Sequence, residues 1–252
     1  MKIKKILVSQ PKPESEKSPY FDIAEKYNVK IDFRPFIKVD PISAKEFRQQ
    51  RINITDHNAI VFTSRHGVDN FFRLADEMRV RNKIDMEMQY FCVSEKVANY
   101  LHKYIDYRKR KVHYGSTNRV CDLFPIIQRH KELNYLVVLS ADHTNEIPDW
   151  MDKMGIKNSV GMMYRTVSND FGPDEKLDYD MMLFFSPQGI NALLKNFPDF
   201  EQGDIQIGCL GTNTAAAIRN ANLRLDLEVP SPQFTSITMA LDAFLKENNK
   251  RK

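Results

Sequence analysis

The sequence predicts an α/β protein built as two doubly wound parallel-sheet domains joined by a two-stranded hinge. Three observations carry this. Apolar stretches of strand length alternate with segments of helical length and period almost throughout, which is the pattern of parallel sheets with crossover helices. One strand-turn-helix pattern occurs twice: residues 62–72 read FTSRHGVDNFF and residues 184–194 read FFSPQGINALL. Finally, the order of the repeated pieces is shifted between the two halves of the chain, and this decides the domain plan.

The predicted strands are 4–9, 31–38, 58–63, 89–93, 111–114, 134–139, 159–167, 180–185, 205–210 and 224–228. The two copies share Phe-x-Ser-x-x-Gly, then a branched apolar residue, then a pair of large apolar residues. Val68, Phe71, Phe72 and Ala75 fall at i, i+3, i+4 and i+7, and Ile190, Leu193, Leu194 and Phe197 do the same. That spacing is one stripe of a helix. The following units match in kind, CVSEKVA at 92–98 against CLGTNTA at 209–215. The partner of VLS (138–140) is LVS (7–9), at the start of the chain. If the halves share a topology, the first strand joins the C-terminal half. The expected domains are therefore 1–35 plus 168–252, and an inserted 36–167. The crossings fall in IDFRPFIKVDP (31–41) and GMMYRTVSND (161–170), both extended in pattern and suited to two antiparallel hinge strands. Only the tail ENNKRK (247–252) reads as frayed.

Composition narrows the class. Of 252 residues, 42% are hydrophobic and 28% charged, which suits a folded globular chain and not a disordered one. No apolar run approaches the roughly 20 residues that span a bilayer, and Ile6-Leu7-Val8 is too short an apolar core for a signal peptide. Three distant cysteines, Cys92, Cys121 and Cys209, argue against a disulfide scaffold or zinc site and for a reduced, cytoplasmic chain. The net charge of +4 favours an acidic ligand only mildly and does not announce nucleic acid.

Ligands of doubly wound sheets bind beyond the carboxyl ends of the strands. The turns there carry Ser64, Ser94, Ser140, Ser186 and Gly211-Thr212-Asn213-Thr214. Each hydroxyl can cap the helix that follows, and Pro187 suits a first helical position. A cap needs no ligand, but two domains each presenting several helix N-termini would offer backbone donors and positive dipole ends to a ligand with many carboxylates or phosphates. No glycine-rich phosphate fingerprint occurs, and no nucleophile elbow or metal-ligand spacing. Asp142, His143 and Glu146 could be drawn as a metal site; a polar helix start capped by Asp142 or Thr144 is the simpler reading. The basic run YIDYRKRKVHYG (104–115) could touch RNA but reads more simply as a solvated helix end before a strand. Tyr164, in the predicted hinge, could project between domains, donate a proton or simply pack.

Across nearly its whole length the chain resembles the uroporphyrinogen-III synthase family, in the variant found in the Bacteroidetes lineage. The carriers are ILVSQPKP (6–13), IVFTSRHGVDNFF (60–72), YFCVSEKVANYL (90–101), YRTVS (164–168), LFFSPQGINALLKNFPDF (183–200), CLGTNTAAAI (209–218) and VPSPQFTSITMAL (229–241). The resemblance implies two α/β domains with a two-stranded hinge, and a lyase of haem biosynthesis. Its reaction is cyclisation of hydroxymethylbilane with inversion of the last pyrrole ring and loss of water. It further implies no cofactor or metal and a monomer without nucleic-acid or membrane partners. It maps a catalytic role onto Tyr164 and substrate binding onto Thr63, Ser64, Arg65, Ser186, Pro187, Gln188, Gly189, Thr212, Asn213 and Thr214. Ser94 is a further candidate, in a turn (Ser94-Glu95-Lys96-Val97) that departs from the family's Gly-x-x-Thr. An arginine common after the strand at 134–139 is also absent, with SADHTNE in its place. The other function kept open is a non-catalytic two-domain sensor of an anionic metabolite.

Overall fold

The computed structural model describes residues 2–172 and 175–250. The chain divides into two compact units, Met1–Lys38 with Val167–Lys252, and Val39–Thr166.

Unit one is a five-stranded sheet in the order β11-β10-β9-β1-β2. Its strands are β1 (Lys5–Val8), β2 (Lys30–Phe33), β9 (Met181–Phe184), β10 (Gln206–Leu210) and β11 (Leu227–Val229). Every pairing is parallel. The strands read as continuous apolar runs because both faces are covered. Ile6 and Val8 point into one core with Met181 and Leu183, beneath α1 (Pro19–Tyr27) and α9 (Ile237–Lys250). Leu7, Met182 and Phe184 point into the other, with residues of α7 (Pro187–Asn196) and α8 (Thr212–Asn220). This is the period of two expected of a pleated strand.

Unit two holds β3 (Ile37–Pro41), β4 (Ala59–Phe62), β5 (Gln89–Cys92), β6 (Val112–Tyr114), β7 (Tyr135–Ser140) and β8 (Asn158–Ser168). Their order is β3-β8-β7-β4-β5-β6. The pairs β8-β7, β7-β4, β4-β5 and β5-β6 are parallel. Its helices are α2 (Ala44–Gln49), α3 (Arg65–Glu77), α4 (Glu95–Tyr100), α5 (Phe124–Gln128) and α6 (Glu146–Lys153). A single core surrounds this sheet, drawn wholly from residues of unit two.

The strand orders are the same once permuted. Unit one runs β2-β1-β9-β10-β11 and unit two runs β8-β7-β4-β5-β6. The strand that opens the chain, β1, thus corresponds to β7, as the LVS and VLS pair predicts. In each unit the winding reverses between the first strand and its neighbour: at β1/β9 in unit one and at β7/β4 in unit two. Such a reversal opens a crevice beyond the carboxyl ends.

The linking segments β3 and β8 lie side by side. The Ile42 N–H donates to the Met163 carbonyl at 3.1 Å and the Asn169 N–H to the Phe36 carbonyl at 2.8 Å. One residue number rises as its partner falls, so the two segments run antiparallel. The expected strand 31–38 is two strands. Pro35 has no N–H for a ladder, and Phe36 turns fully into the core against Phe171 and Phe184. The expected frayed tail is helical through Lys250, with the last two residues outside the described part.

Candidate active site

In unit two, β4 ends at Phe62 and α3 begins at Arg65. Between them Ser64 is extended, at φ −154° and ψ 161°, and its Oγ accepts the Gly67 N–H at 3.0 Å. The first turn of a helix has N–H groups without intrahelical acceptors. The cap satisfies one and leaves those of Arg65 and His66 without an acceptor among the described residues. Unit one repeats the geometry: Ser186, at φ −154° and ψ 153°, accepts the Gly189 N–H at 3.2 Å, and Pro187 opens α7. Gln188 is left with an uncapped N–H.

A tyrosine of β8, Tyr164, is the residue that the fold brings to this turn. Along β7 and β8 the register runs Leu139 with Met162, then skips a residue to pair Ser140 with Tyr164. Register partners in neighbouring strands share a face. The extra residue is a bulge, and it moves Tyr164 onto the face of Ser140, opposite Met162. The Tyr164 hydroxyl thereby lies 2.9 Å from Ser64 Oγ. Thr63, Ser140, His143, Glu146 and Tyr164 line a cavity of about 220 Å³ at the winding reversal of unit two. Tyr164 is only 7% exposed, and burial raises its pKa above the ordinary phenol value, with the Ser64 hydrogen bond opposing in part. The phenol therefore stays protonated at neutral pH.

Arg65 is exposed, and its guanidinium lies 5.3 Å above the Tyr100 ring. Tyr100 donates to Asp69 Oδ1 at 3.0 Å, and Tyr104 and Lys103 converge on the same carboxylate. Asp69 is held below the ordinary carboxyl value: burial pushes it up, but the three donors together outweigh that. Sequence reasoning missed Tyr100 and Asp69. Their spacing carries no signal, because they meet only when α3 packs on α4.

The remaining candidates are placed less uniformly. Ser94 has the same extended backbone, φ −153° and ψ 163°, but caps nothing, and only 9% of it is exposed. In unit one Gly211 sits at φ 103°, a conformation that favours glycine, and precedes α8. Thr212 and Asn213 are exposed. Thr214 is 2% exposed and its hydroxyl donates to the Leu210 carbonyl at 3.1 Å, so its side chain is spent on the fold.

Two expectations need correction. Neither Asp142 nor Thr144 caps α6, which starts at Glu146. Asp142 Oδ2 instead accepts the Thr166 N–H at 2.9 Å, and the His143 nitrogens meet the Ser140 carbonyl and Asn145 Oδ1, both at 2.8 Å. Among the described residues no group of three His, Cys, Asp or Glu side chains is placed to hold a metal ion. The run 104–115 is not simply solvated either: Lys111 is 5% exposed and pairs with Glu87.

Two parallel α/β units of one strand order, each with one serine-capped helix N-terminus at its carboxyl edge, define a duplicated, doubly wound protein. The family described as uroporphyrinogen-III synthase HemD matches residues 20–238, and the chain belongs to that family. The solved uroporphyrinogen-III synthetase from Helicobacter pylori is 14% identical, covers 97% of this chain and 100% of its own, and superposes with a TM-score of 0.66. A mutant uroporphyrinogen III synthase from the extreme thermophile Thermus thermophilus is also 14% identical, with 99% and 100% coverage and a TM-score of 0.57. These likenesses speak for the fold. Among curated proteins none matches the chain at a significant level.

Proposed function

We propose that the chain is a uroporphyrinogen-III synthase, a lyase that closes hydroxymethylbilane into uroporphyrinogen III, and that Tyr164 is its catalytic residue. The observation that carries the activity is the family match across residues 20–238. What supports the role of Tyr164 is a protonated phenol beside Ser64 at the winding reversal of unit two.

The chemistry asks little of any single group. The terminal C–O bond breaks as the pyrrole nitrogen pushes in its electrons, and the departing oxygen takes a proton to leave as water. With Ser64 donating to the phenol oxygen, the Tyr164 proton is free to serve that step, and the Ser64 hydrogen bond steadies the phenolate left behind. The substituted carbon of the last ring attacks the resulting azafulvene, and the spiro intermediate fragments. The ring then recloses inverted, and the proton lost from the pyrrole carbon restores the phenol. Net change is loss of one water. The rest of the catalytic task is to hold a reactive chain in one geometry.

The substrate carries an acetate and a propionate on each ring. This reading assigns their recognition to Thr63, Ser64 and Arg65 with Ser94 in unit two, and to Ser186, Pro187, Gln188, Gly189, Thr212, Asn213 and Thr214 in unit one. Thr214 contributes through its backbone, since its hydroxyl is engaged. The same reading has the chain act as a cytoplasmic monomer with no nucleic-acid partner. Among the described residues no helix is long and apolar enough to cross a membrane.

The test is to supply hydroxymethylbilane from its own synthase and separate the porphyrin isomers. Isomer III in excess of the uncatalysed isomer I is expected. Binding without isomer III would replace the enzyme with a sensor.

A further inference from the structure

Arg65 opens α3, yet among the described residues its guanidinium forms neither a hydrogen bond nor an ion pair. What holds it is the Tyr100 ring, whose centre lies 5.3 Å from Cζ, within reach of a cation–π contact. A carboxylate stands close by. Asp69 lies four residues further along α3, the spacing at which an aspartate and an arginine share a helix face and pair.

Asp69 is withheld from that pairing. The Tyr100 hydroxyl lies 3.0 and 3.1 Å from its two oxygens, the Lys103 ammonium lies 3.2 Å from Oδ1, and the Tyr104 hydroxyl donates to the same oxygen. Tyr104 is fixed in turn, stacked at 4.6 Å on the ring of Phe72, which is 1% exposed. Core packing therefore decides where Asp69 spends its charge. Lys103 balances that charge, and the charge on Arg65 is left over. In the duplicated turn of unit one, Pro187 and Asn191 stand in the places of Arg65 and Asp69, so unit one lacks both the cation and the carboxylate that could neutralise it.

We propose that Tyr100 is a positioning residue: its ring carries Arg65 and its hydroxyl, with Tyr104 and Lys103, keeps Asp69 from neutralising it, so the guanidinium meets a ligand carboxylate already placed. This rests on the reading that Thr63, Ser64 and Arg65 receive an acetate or propionate of the substrate. A long side chain that is ordered only on binding weakens affinity by about two- to tenfold. The Tyr100 ring orders Arg65 beforehand.

Two measurements on the full chain test this: hydroxymethylbilane kinetics, and the rate at which phenylglyoxal labels Arg65, read by peptide mass. Tyr100→Leu should raise KM by about three- to tenfold with kcat unchanged. It should also slow the labelling of Arg65, as Asp69 loses a donor and the guanidinium turns to it. Tyr100→Phe keeps the ring and should recover most of KM. In an Arg65→Met background, Tyr100→Leu should change KM no further, because two groups that act through one contact are not additive. Unchanged KM in Tyr100→Leu overturns the proposal, as does a loss confined to kcat or the same KM factor with and without Arg65. Should the wild-type chain form no isomer III, the assigned activity fails and labelling alone decides: a slower Arg65 in Tyr100→Leu supports the positioning role, and an equal rate overturns it. If Tyr100→Leu does not fold by circular dichroism, Tyr100→Phe combined with Tyr104→Phe takes its place. That pair releases Asp69 and should slow Arg65 labelling about twofold; an unchanged rate overturns the proposal.

Discussion

At Tyr164 burial and hydrogen bonding act in opposite directions, and burial wins, so the side chain keeps its proton. Tyr164→Phe should lower isomer III formation by about 10²-fold, the low end of general-acid contributions. It should cost only about 1 kcal/mol of stability, the worth of the bond to Ser64. Turnover and urea unfolding measured on the same variant separate the two, and unchanged turnover would remove Tyr164 from the chemistry. The cysteines give a second residue-scale outcome. Burial pushes the Cys209 thiol up to about 11 and Cys92 higher still, while Cys121 is exposed. Iodoacetamide at neutral pH should label only Cys121 in the folded chain and all three in denaturant, as intact mass will show. Ser64 and Ser186 were legible in the sequence because a cap and its glycine lie three residues apart. The meeting of Tyr164 with Ser64 was not. It depends on a one-residue register skip at Leu139, which no hydrophobic pattern encodes.

At the scale of elements, the duplicated turn makes a matched pair of predictions. Ser186→Ala removes an N-cap and should lower unfolding free energy by about 1 kcal/mol in urea. Ser64→Ala should cost more, since it also strips the partner of Tyr164. The inner strand β10 is tighter. A Cβ on Gly208 would stand 2.6 Å from Leu183 Cδ2 and 3.2 Å from Leu227 Cβ, side chains of the two flanking strands. Gly208→Ala should therefore destabilise by about 1–3 kcal/mol, the usual cost of overpacking; an unchanged midpoint would show that Leu183 can swing aside. Strands were readable where apolar runs ended in polar turns. The failure at 31–38 has a physical cause: the alternation of Ile31 to Arg34 runs directly into the apolar Pro35-Phe36-Ile37, so the stretch reads as one strand, and the packing of Phe36 reveals the break at Pro35.

For the whole molecule, acid should be the weak side. Burial lowers the pKa of both His57 and His113 from the ordinary 6.5, and His130 beside His113 lowers the latter further. Below 6.5 the unfolded chain takes up these protons and the folded chain resists, so the unfolded state binds more. Stability is therefore fully present above 6.5 and falls as pH drops through that value towards the depressed folded ones. The urea midpoint at pH 5 should lie below that at pH 7.5; equal midpoints would refute the burial argument. The plan of the molecule was legible because LVS and VLS mark corresponding strands, so the shifted order of repeats could be read as a permuted sheet.

That permuted plan governs the timing of assembly. Asp180 accepts the backbone N–H of Lys4 across 176 residues of chain. On a ribosome adding about 5–20 residues per second, β1 can pair with β2 early but waits on the order of ten to thirty seconds for β9, its neighbour on the other side, to emerge. The inserted unit, complete in one unbroken stretch with a core of its own, can finish first. Until β9 emerges, the edge of β1 that faces it stands unpaired and Leu7 lacks its Met182 and Phe184 partners, so β1 is the segment that a chaperone would have most reason to hold.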